Sequence, residues 1–148
     1  MIRCTDLTGD DVKAAYAIHQ QVHVKPWAWT TFTDCLHVPY YGLAACQDNT
    51  LAGYALVLEV ADEATLMDIA VSPDYRRQGI GNQLLNAVIA RSRENQMSSL
   101  WLEVRAGNTA AITLYENAGF DTIEIRKNYY PLADGGKEDA RIMRRCFI

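Results

Sequence analysis

A segment with two arginines and two glycines is the part of this sequence best suited to bind an anion. Residues 76–81 read RRQGIG. Glycines before or within the first turn of a helix let a ligand approach the backbone closely, and the free N–H groups and dipole of that turn favour negative charge. The two arginines add positive charge beside them. The segment predicts a site for an anionic group such as a diphosphate, and a tight turn with solvated arginines is the alternative.

Two known nucleotide-binding patterns do not fit this segment. A Walker A loop needs a lysine that is absent from residues 76–81. The dinucleotide pattern G-x-G-x-x-G needs a third glycine, and Leu84 stands at that position. The anion predicted here is therefore not assigned to either of these two classes of nucleotide site.

A second constellation is a pair of histidines, His19 and His23, four residues apart on a predicted helix. Two histidines at this spacing can bind a metal ion when a third ligand is close. No third ligand is evident in the nearby sequence. A solvated or packed pair is the preferred interpretation, and no metal is expected.

A strand and a helix are predicted on either side of the glycine segment. Residues 66–71 form an apolar run that ends at Ser72 and Pro73, and apolar residues at helical spacing follow the glycines up to about Asn95. Residues 99–105 read as the next strand. Because one helix connects the two strands, they should pair in parallel, and the anion site should lie at their carboxyl ends.

The other predicted elements complete a mixed α/β plan in which most strands are antiparallel. The first helix begins after the candidate N-cap Thr8 and ends at Lys25 and Pro26. A last helix begins at residues 107–109 and ends at Gly119. The remaining predictions are strands at residues 2–7, 40–47 and 51–60, a short helix at 31–37, a closing hairpin of 121–129 and 138–147, and its loop at 130–136.

Composition indicates one globular domain over residues 1–148. The chain is 49% hydrophobic and 22% charged, and no apolar run has the length of a membrane span or a signal peptide. Its four cysteines lack the spacing of a zinc site or a disulfide framework, which fits a reducing, cytoplasmic compartment. The net charge of −4 argues against a nucleic-acid partner.

Five segments together resemble the GNAT superfamily of N-acetyltransferases, and within it the bacterial ribosomal-protein-alanine N-acetyltransferases. They are DIAV at residues 68–71, the RxxGxG pattern at 76–81, WLEVR at 101–105, NxxAxxLYxxxGF at 108–120 and NYYP at 128–131. The resemblance covers nearly the whole chain. It implies the GNAT acyl-CoA N-acyltransferase fold, with a central mixed, mostly antiparallel sheet flanked by about four helices, and acetyl-CoA as the co-substrate.

The resemblance also assigns roles to individual residues. Glu103 is the expected general base and Tyr115 the expected general acid. Without the resemblance, Glu103 would read as an ion-pair partner of Arg105, and Tyr115 as a core residue of its helix. The backbone of Ile69, Ala70 and Val71 is expected to bind the pantetheine arm of acetyl-CoA. The diphosphate is expected to bind the N–H groups of Arg77, Gln78, Gly79, Ile80, Gly81 and Asn82. Asn108 is expected to contact the coenzyme near its thiol, although a helix cap is an equally natural role for this residue.

The resulting functional hypothesis is acetylation of the N-terminal alanine of a small-subunit ribosomal protein by direct attack. The N-terminal peptide of that protein is the expected partner, and no membrane is involved. A GNAT enzyme for another amine, such as a lysine side chain, another protein N-terminus or a small metabolite, is one alternative, and a non-catalytic acetyl-CoA sensor is another.

The aromatic residues at 27–29 belong either to the core or to one wall of the acceptor site. The oligomeric state is open, with a monomer as the default.

Overall fold

Seven strands and four α-helices form the fold of residues 1–147, the part of the chain that the computed structural model describes. The strands are β1 (Ile2–Asp6), β2 (Tyr40–Gln47), β3 (Thr50–Val60), β4 (Glu63–Val71), β5 (Ser99–Arg105), β6 (Asp121–Pro131) and β7 (Lys137–Cys146). The helices are α1 (Asp11–Val22), α2 (Trp29–Asp34), α3 (Ile80–Glu94) and α4 (Thr109–Asn117). All strands belong to one sheet in the order β1-β2-β3-β4-β5-β7-β6.

The sheet is antiparallel except where β4 meets β5, which confirms the predicted mixed, mostly antiparallel sheet. The predicted parallel pairing of these two strands is confirmed as well. Parallel neighbours need a crossover between them, and α3 provides it. The connection therefore delivers the glycine segment to the end of β4.

The parallel pair β4 and β5 separates partway along its length. Their pairing ends at Leu66 and Leu102, although β4 continues to Val71 and β5 to Arg105. At the same level β4 has a bulge at Met67, which has no partner in β3 while both of its neighbours do. A bulge bends a strand and increases its twist. The opening beyond the last paired residues is called the β4–β5 cleft below.

Buried apolar side chains pack against both faces of the sheet. Helices α3 and α4 cover one face, where Leu84, Leu85 and Val88 of α3 are inaccessible to solvent. Helices α1 and α2 cover the other face, where Phe32 packs beside Tyr54 of β3. Because β3 and β4 lie in the middle of the sheet, their side chains pack into both cores. Strand β4, which borders the cleft, is therefore held in place from both faces of the sheet.

Several predicted boundaries differ from the structure. Thr8 does not cap α1, because Gly9 adopts a left-handed conformation (φ +61°) and makes a turn before the helix begins at Asp11. Helix α1 ends at Val22, earlier than predicted, and α2 spans Trp29–Asp34 rather than 31–37. Tyr130 and Pro131 lie in β6 and not in the hairpin loop, since they pair with β7. Within residues 1–147, no helix is both long and apolar enough to cross a membrane.

Candidate active site

The glycine segment adopts the backbone conformation that an anion cradle needs. Arg77 and Gly79 are left-handed, with φ of +66° and +75°, and Gln78 between them is outside that region. Gly79 is the N-cap of α3 and no side chain caps the helix. The first hydrogen bond of the helix runs from the N–H of Gln83 to the carbonyl of Gly79, so the N–H groups of residues 80–82 are left for a ligand. Successive free N–H groups in such a turn form an anion-binding concavity.

This cradle lies against the end of β4 and against α4. A Cβ atom built on Gly81 would lie 3.8 Å from Leu114 of α4 and 3.9 Å from Val71 of β4. Residues 69–71 of β4 are in the part of the strand that has left β5, so their edge toward the cleft has no strand partner. The structure thus brings the predicted coenzyme residues of the strand and of the glycine segment together.

Asn108 occupies the helix-cap position that the sequence left open. It is the N-cap of α4, and its side-chain oxygen accepts a hydrogen bond of 3.2 Å from the N–H of Ala111. Its amide nitrogen remains free to contact a ligand. The cap is therefore confirmed, and a contact with the coenzyme stays a prediction.

Glu103 is the first residue of β5 beyond its pairing with β4, so it stands at the mouth of the cleft. Its carboxylate accepts a hydrogen bond of 2.7 Å from the hydroxyl of Tyr130, and its second oxygen lies 3.8 Å from the guanidinium of Arg126. The side chain is one-third exposed. The alternative, an ion pair with a neighbour such as Arg105, is found with a different arginine, because Arg126 lies near the carboxylate while Arg105 binds Glu138 at 3.3 Å across the β5–β7 pair.

A groove of about 370 Å³ opens beside Glu103, and four strands and one loop line it. The loop between α1 and α2 contributes Trp27, β6 contributes Tyr130, and β4 contributes the bulged Met67. The full set of lining residues is Trp27, Thr65, Leu66, Met67, Trp101, Leu102, Glu103, Arg126, Tyr130 and Ile142. This set is called the groove below, and its walls are mainly aromatic and aliphatic, with one carboxylate and one guanidinium inside.

Tyr115 is buried on the inner face of α4, where its ring packs 5.9 Å from that of Phe120. Burial, and then the negative charge of Asp68, raise the pKa of its hydroxyl to about 12. The phenol is therefore protonated at neutral pH and available as a donor. No hydrogen bond to another group of residues 1–147 occupies it.

The histidine pair belongs to a buried network that the sequence did not reveal. Asp68 accepts hydrogen bonds from His19 (2.8 Å) and Tyr54 (2.6 Å) on one oxygen, and from His23 (2.9 Å) on the other. Burial alone would raise the pKa of this carboxyl, but the hydrogen bonds outweigh it and lower the pKa to about 2. The expectation that no third group lies near the pair is wrong, because β4 passes directly beneath α1.

The spacing of this network would allow a metal ion, but its hydrogen bonds do not favour one. Candidate ligand atoms of His19, His23 and Asp68 lie within 4.8 Å of one another. However, Nε2 of His19 accepts a hydrogen bond of 2.9 Å from the backbone N–H of Trp27, so its proton is on Nδ1 and points at Asp68. A metal on Nδ1 would move that proton to Nε2, where it would face another N–H.

Two groups of side chains at this site were missed at the sequence level. One is Tyr130 with Arg126, which reach Glu103 from β6 across β7. The other is the network around Asp68. A signal for the second existed, because a carboxylate in the middle of an apolar strand must find partners if it is buried.

Comparison with known proteins gives a consistent set of relatives. Residues 7–120 match the Acetyltransferase (GNAT) family. The ribosomal protein bS18-alanine N-acetyltransferase of Escherichia coli K12 is 46% identical over 139 residues, which are 94% of this chain and 93% of that protein. The protein of that name from Haemophilus influenzae is 41% identical over 93% of each chain. The crystal structure of the E. coli ribosomal-protein-S18-alanine N-acetyltransferase has a TM-score of 0.93 at 44% identity, covering 99% of this chain and 94% of that chain.

Proposed function

The chain belongs to the GNAT family of acetyltransferases, and we propose that it transfers the acetyl group of acetyl-CoA to the N-terminal alanine of a small-subunit ribosomal protein. Relatives that bear this activity in their names match almost the full chain at 41–46% identity. The observation that carries the proposal is the position of Glu103. It is a carboxylate at the mouth of the β4–β5 cleft that lines the groove, where the peptide end would enter, and residues 69–71 of β4, beyond the same end of the pairing, would bind the coenzyme.

Acetyl-CoA would lie along the far half of β4 and over the start of α3. Ile69, Ala70 and Val71 would offer backbone groups to the pantetheine arm, as one strand does to another. The free N–H groups of residues 77–82 would hold the diphosphate, with the dipole of α3 behind them. Asn108 would use its free amide nitrogen near the thiol end.

The reaction in this arrangement is direct attack of the amine on the thioester carbon. The C–N bond forms, the C–S bond breaks, and the amine loses one proton. Glu103 takes that proton directly or through one water, because its carboxylate lines the groove where the amine would enter. The hydrogen bond from Tyr130 orients the carboxylate toward the groove.

Tyr115 would stabilise the departing sulfur. With a pKa raised to about 12, its hydroxyl keeps its proton at neutral pH and can donate it toward the thiolate. Complete transfer to a free thiolate, whose thiol has a pKa near ~8.5, would be uphill by about 5 kcal/mol. The raised pKa therefore disfavours complete proton transfer, so Tyr115 would stabilise the developing charge through a hydrogen bond, and the thiolate would take its proton from solution.

The chemistry favours an N-terminal amine over a lysine side chain. An α-amino group has a pKa of ~7.7–8.0 and a lysine ~10.4, so deprotonating the lysine at neutral pH costs about 3.5 kcal/mol more. A carboxylate that is one-third exposed is a modest base, and it serves the less basic amine better. This supports the N-terminal substrate that the names of the relatives indicate.

The test is acetyl transfer from acetyl-CoA to three acceptors: a short peptide that begins with alanine, an N-terminally blocked peptide that contains lysine, and a polyamine. Transfer confined to the free alanine N-terminus is the expected result. Transfer only to the lysine peptide or the polyamine would keep acetyl-CoA and overturn the proposed substrate. Binding of acetyl-CoA with transfer to none of the three would indicate a sensor.

A further inference from the structure

We propose that Asp68 and His19 form a positioning network for the acceptor side of the active site, in which they hold the loop that carries Trp27 against the groove. The proposal rests on the function proposed above, because it assigns a role in peptide binding. Neither side chain lines the groove itself. They would act through Trp27, as positioning residues and not as catalytic ones.

An unbroken chain of hydrogen bonds leads from β4 to this loop. Asp68 of β4 accepts from Nδ1 of His19 at 2.8 Å, and Nε2 of His19 accepts from the backbone N–H of Trp27 at 2.9 Å. The hydroxyl of Tyr16 donates to the carbonyl of Trp27 at 2.7 Å, so α1 fixes both backbone polar groups of this residue. The rings of His19 and Trp27 also pack, with centroids 5.1 Å apart.

The network can act as a constraint because each of its groups has one assignment of protons. Trp27 can only donate through its N–H, so Nε2 of His19 must accept and Nδ1 must carry the proton. Asp68 as a carboxylate can only accept, which matches that proton and those of Tyr54 and His23. Asp68 and His19 are both buried, so any other arrangement of their protons would leave a buried polar atom unpaired, whereas the half-exposed His23 can exchange its hydrogen bond for one to water.

Asp68 lies between the residues that border the acceptor groove and those that border the coenzyme site. The residue before it, Met67, is the bulge that lines the groove, and the residues after it, 69–71, border the cleft on the coenzyme side. One end of the network is thus fixed in the coenzyme strand, and the other end holds a wall of the acceptor groove. The two binding sites keep a constant spacing as long as the network is intact.

Two substitutions of His19 separate hydrogen bonding from packing. His19→Gln keeps one donor and one acceptor on a planar group, whereas His19→Phe keeps the ring volume and loses both hydrogen bonds. We expect His19→Phe to raise the KM for the alanine peptide about tenfold and His19→Gln to stay within about threefold of the wild type. The Kd for acetyl-CoA should stay within about twofold in both, since the residues of the cradle do not contact His19. A packing role predicts the opposite order, with phenylalanine tolerated better than glutamine.

His23→Ala is the matched control, because His23 binds the same carboxylate but makes no hydrogen bond to Trp27. We expect its peptide KM to stay within about threefold of the wild type. A KM raised as much as in His19→Phe would overturn the proposal, since the effect would then come from Asp68 without the link to Trp27. Melting temperatures of all variants identify any loss of activity that comes from unfolding.

Hydrogen exchange of the Trp27 backbone amide tests the network without any assay of activity. Measured by NMR in the absence of substrates, exchange at this amide should be at least about tenfold faster in His19→Phe and near the wild-type rate in His19→Gln. Equal rates in the wild type and His19→Phe would overturn the network. If the wild-type protein acetylates no alanine peptide while this exchange pattern holds, the proposed function fails and the network remains.

Discussion

The two sides of the β4–β5 cleft are built in different ways. Most of the coenzyme side is a continuous stretch of chain, residues 69–82, whose predicted contacts are mainly backbone groups, and α4 adds Asn108 and Tyr115 near the thiol end. The acceptor side is assembled from side chains of four strands and a loop, and its buried support reaches from β4 to α1. The first can be damaged by local changes of conformation, and the second by the loss of single polar atoms far apart in sequence.

The largest expected effect is on the acceptor side, at Glu103. Glu103→Gln keeps the size of the side chain and removes the base, so kcat should fall about 10²–10³-fold while the Kd for acetyl-CoA stays within a few-fold. Steady-state kinetics and calorimetry measure the two quantities. Glu116→Gln, an exposed change on α4, is the control and should leave both unchanged. A wild-type kcat in Glu103→Gln would remove the catalytic role of this residue.

A substitution of Tyr115 tests whether a residue on the coenzyme side also contributes to the rate of acetyl transfer. Tyr115→Phe removes the hydroxyl and keeps the buried ring, and kcat should fall about 30-fold because the departing sulfur loses a donor. The KM for the peptide should change little. Because the pKa of this hydroxyl is raised to about 12, the effect should be the same at pH 7 and pH 9. A loss that disappears at pH 9 would contradict the role as donor.

Asp68 supports the acceptor side, and its contribution should depend on pH. The folded state lowers the pKa of this buried carboxyl from 3.8 to about 2, so its stabilising effect is complete above pH ~4 and is lost as the pH falls through ~2. This amounts to about 2 kcal/mol of unfolding free energy. Urea unfolding of the wild type and Asp68→Asn from pH 6 to pH 2 should show their difference shrink by that amount.

Tyr54→Phe sharpens the same measurement. It removes one of the hydrogen bonds that lower the pKa of Asp68, so the loss of stability should begin at higher pH than in the wild type. If the unfolding free energies of Asp68→Asn and the wild type differ by a constant amount from pH 6 to pH 2, the assignment of Asp68 as a buried carboxylate with a lowered pKa is contradicted. In that case Asp68 would stabilise the protein without being held as a carboxylate.

The same difference explains which parts of the molecule could be predicted from the sequence. The strand, turn and helix around residues 66–94 follow from apolar spacing, Pro73 and the glycines, which are all local signals. Strand β5 was also predicted with its observed bounds, because its buried and exposed residues alternate regularly.

The acceptor side could not be predicted in this way, because its contacts join residues that are distant in the chain. Tyr130 and Pro131 were predicted to lie in the hairpin loop, but β6 is an edge strand, and such a strand tolerates proline at its end. Asp68 and the histidines lie 45–49 residues apart, and nothing local indicates that α1 crosses over β4.

A smaller effect is expected from Tyr130, which tests how far the orientation of Glu103 matters. Tyr130→Phe removes the 2.7 Å hydrogen bond to the carboxylate but keeps the ring that packs under the guanidinium of Arg105. We expect kcat/KM for the peptide to fall about tenfold, in line with a hydrogen bond to a charged group. Tyr129→Phe, one residue earlier, is the control: its side chain contacts Arg126 and not Glu103, so kcat/KM should stay within about threefold of the wild type. Equal effects of the two changes would mean that the hairpin, and not the hydrogen bond, is responsible.

The smallest effect is expected on the coenzyme side, at Gly79, and it tests whether the two sides are separable. Gly79 is left-handed, and no protein atom lies within 4 Å of a Cβ added there, so a substitution affects the backbone conformation and not the packing. Gly79→Ala should raise the Kd for acetyl-CoA about fivefold and Gly79→Asn about twofold, because asparagine tolerates this conformation better. The peptide KM should be unchanged in both. If it rises in parallel with the Kd, the cradle and the groove respond as one unit, and the division of the cleft into a backbone side and a side-chain side is wrong.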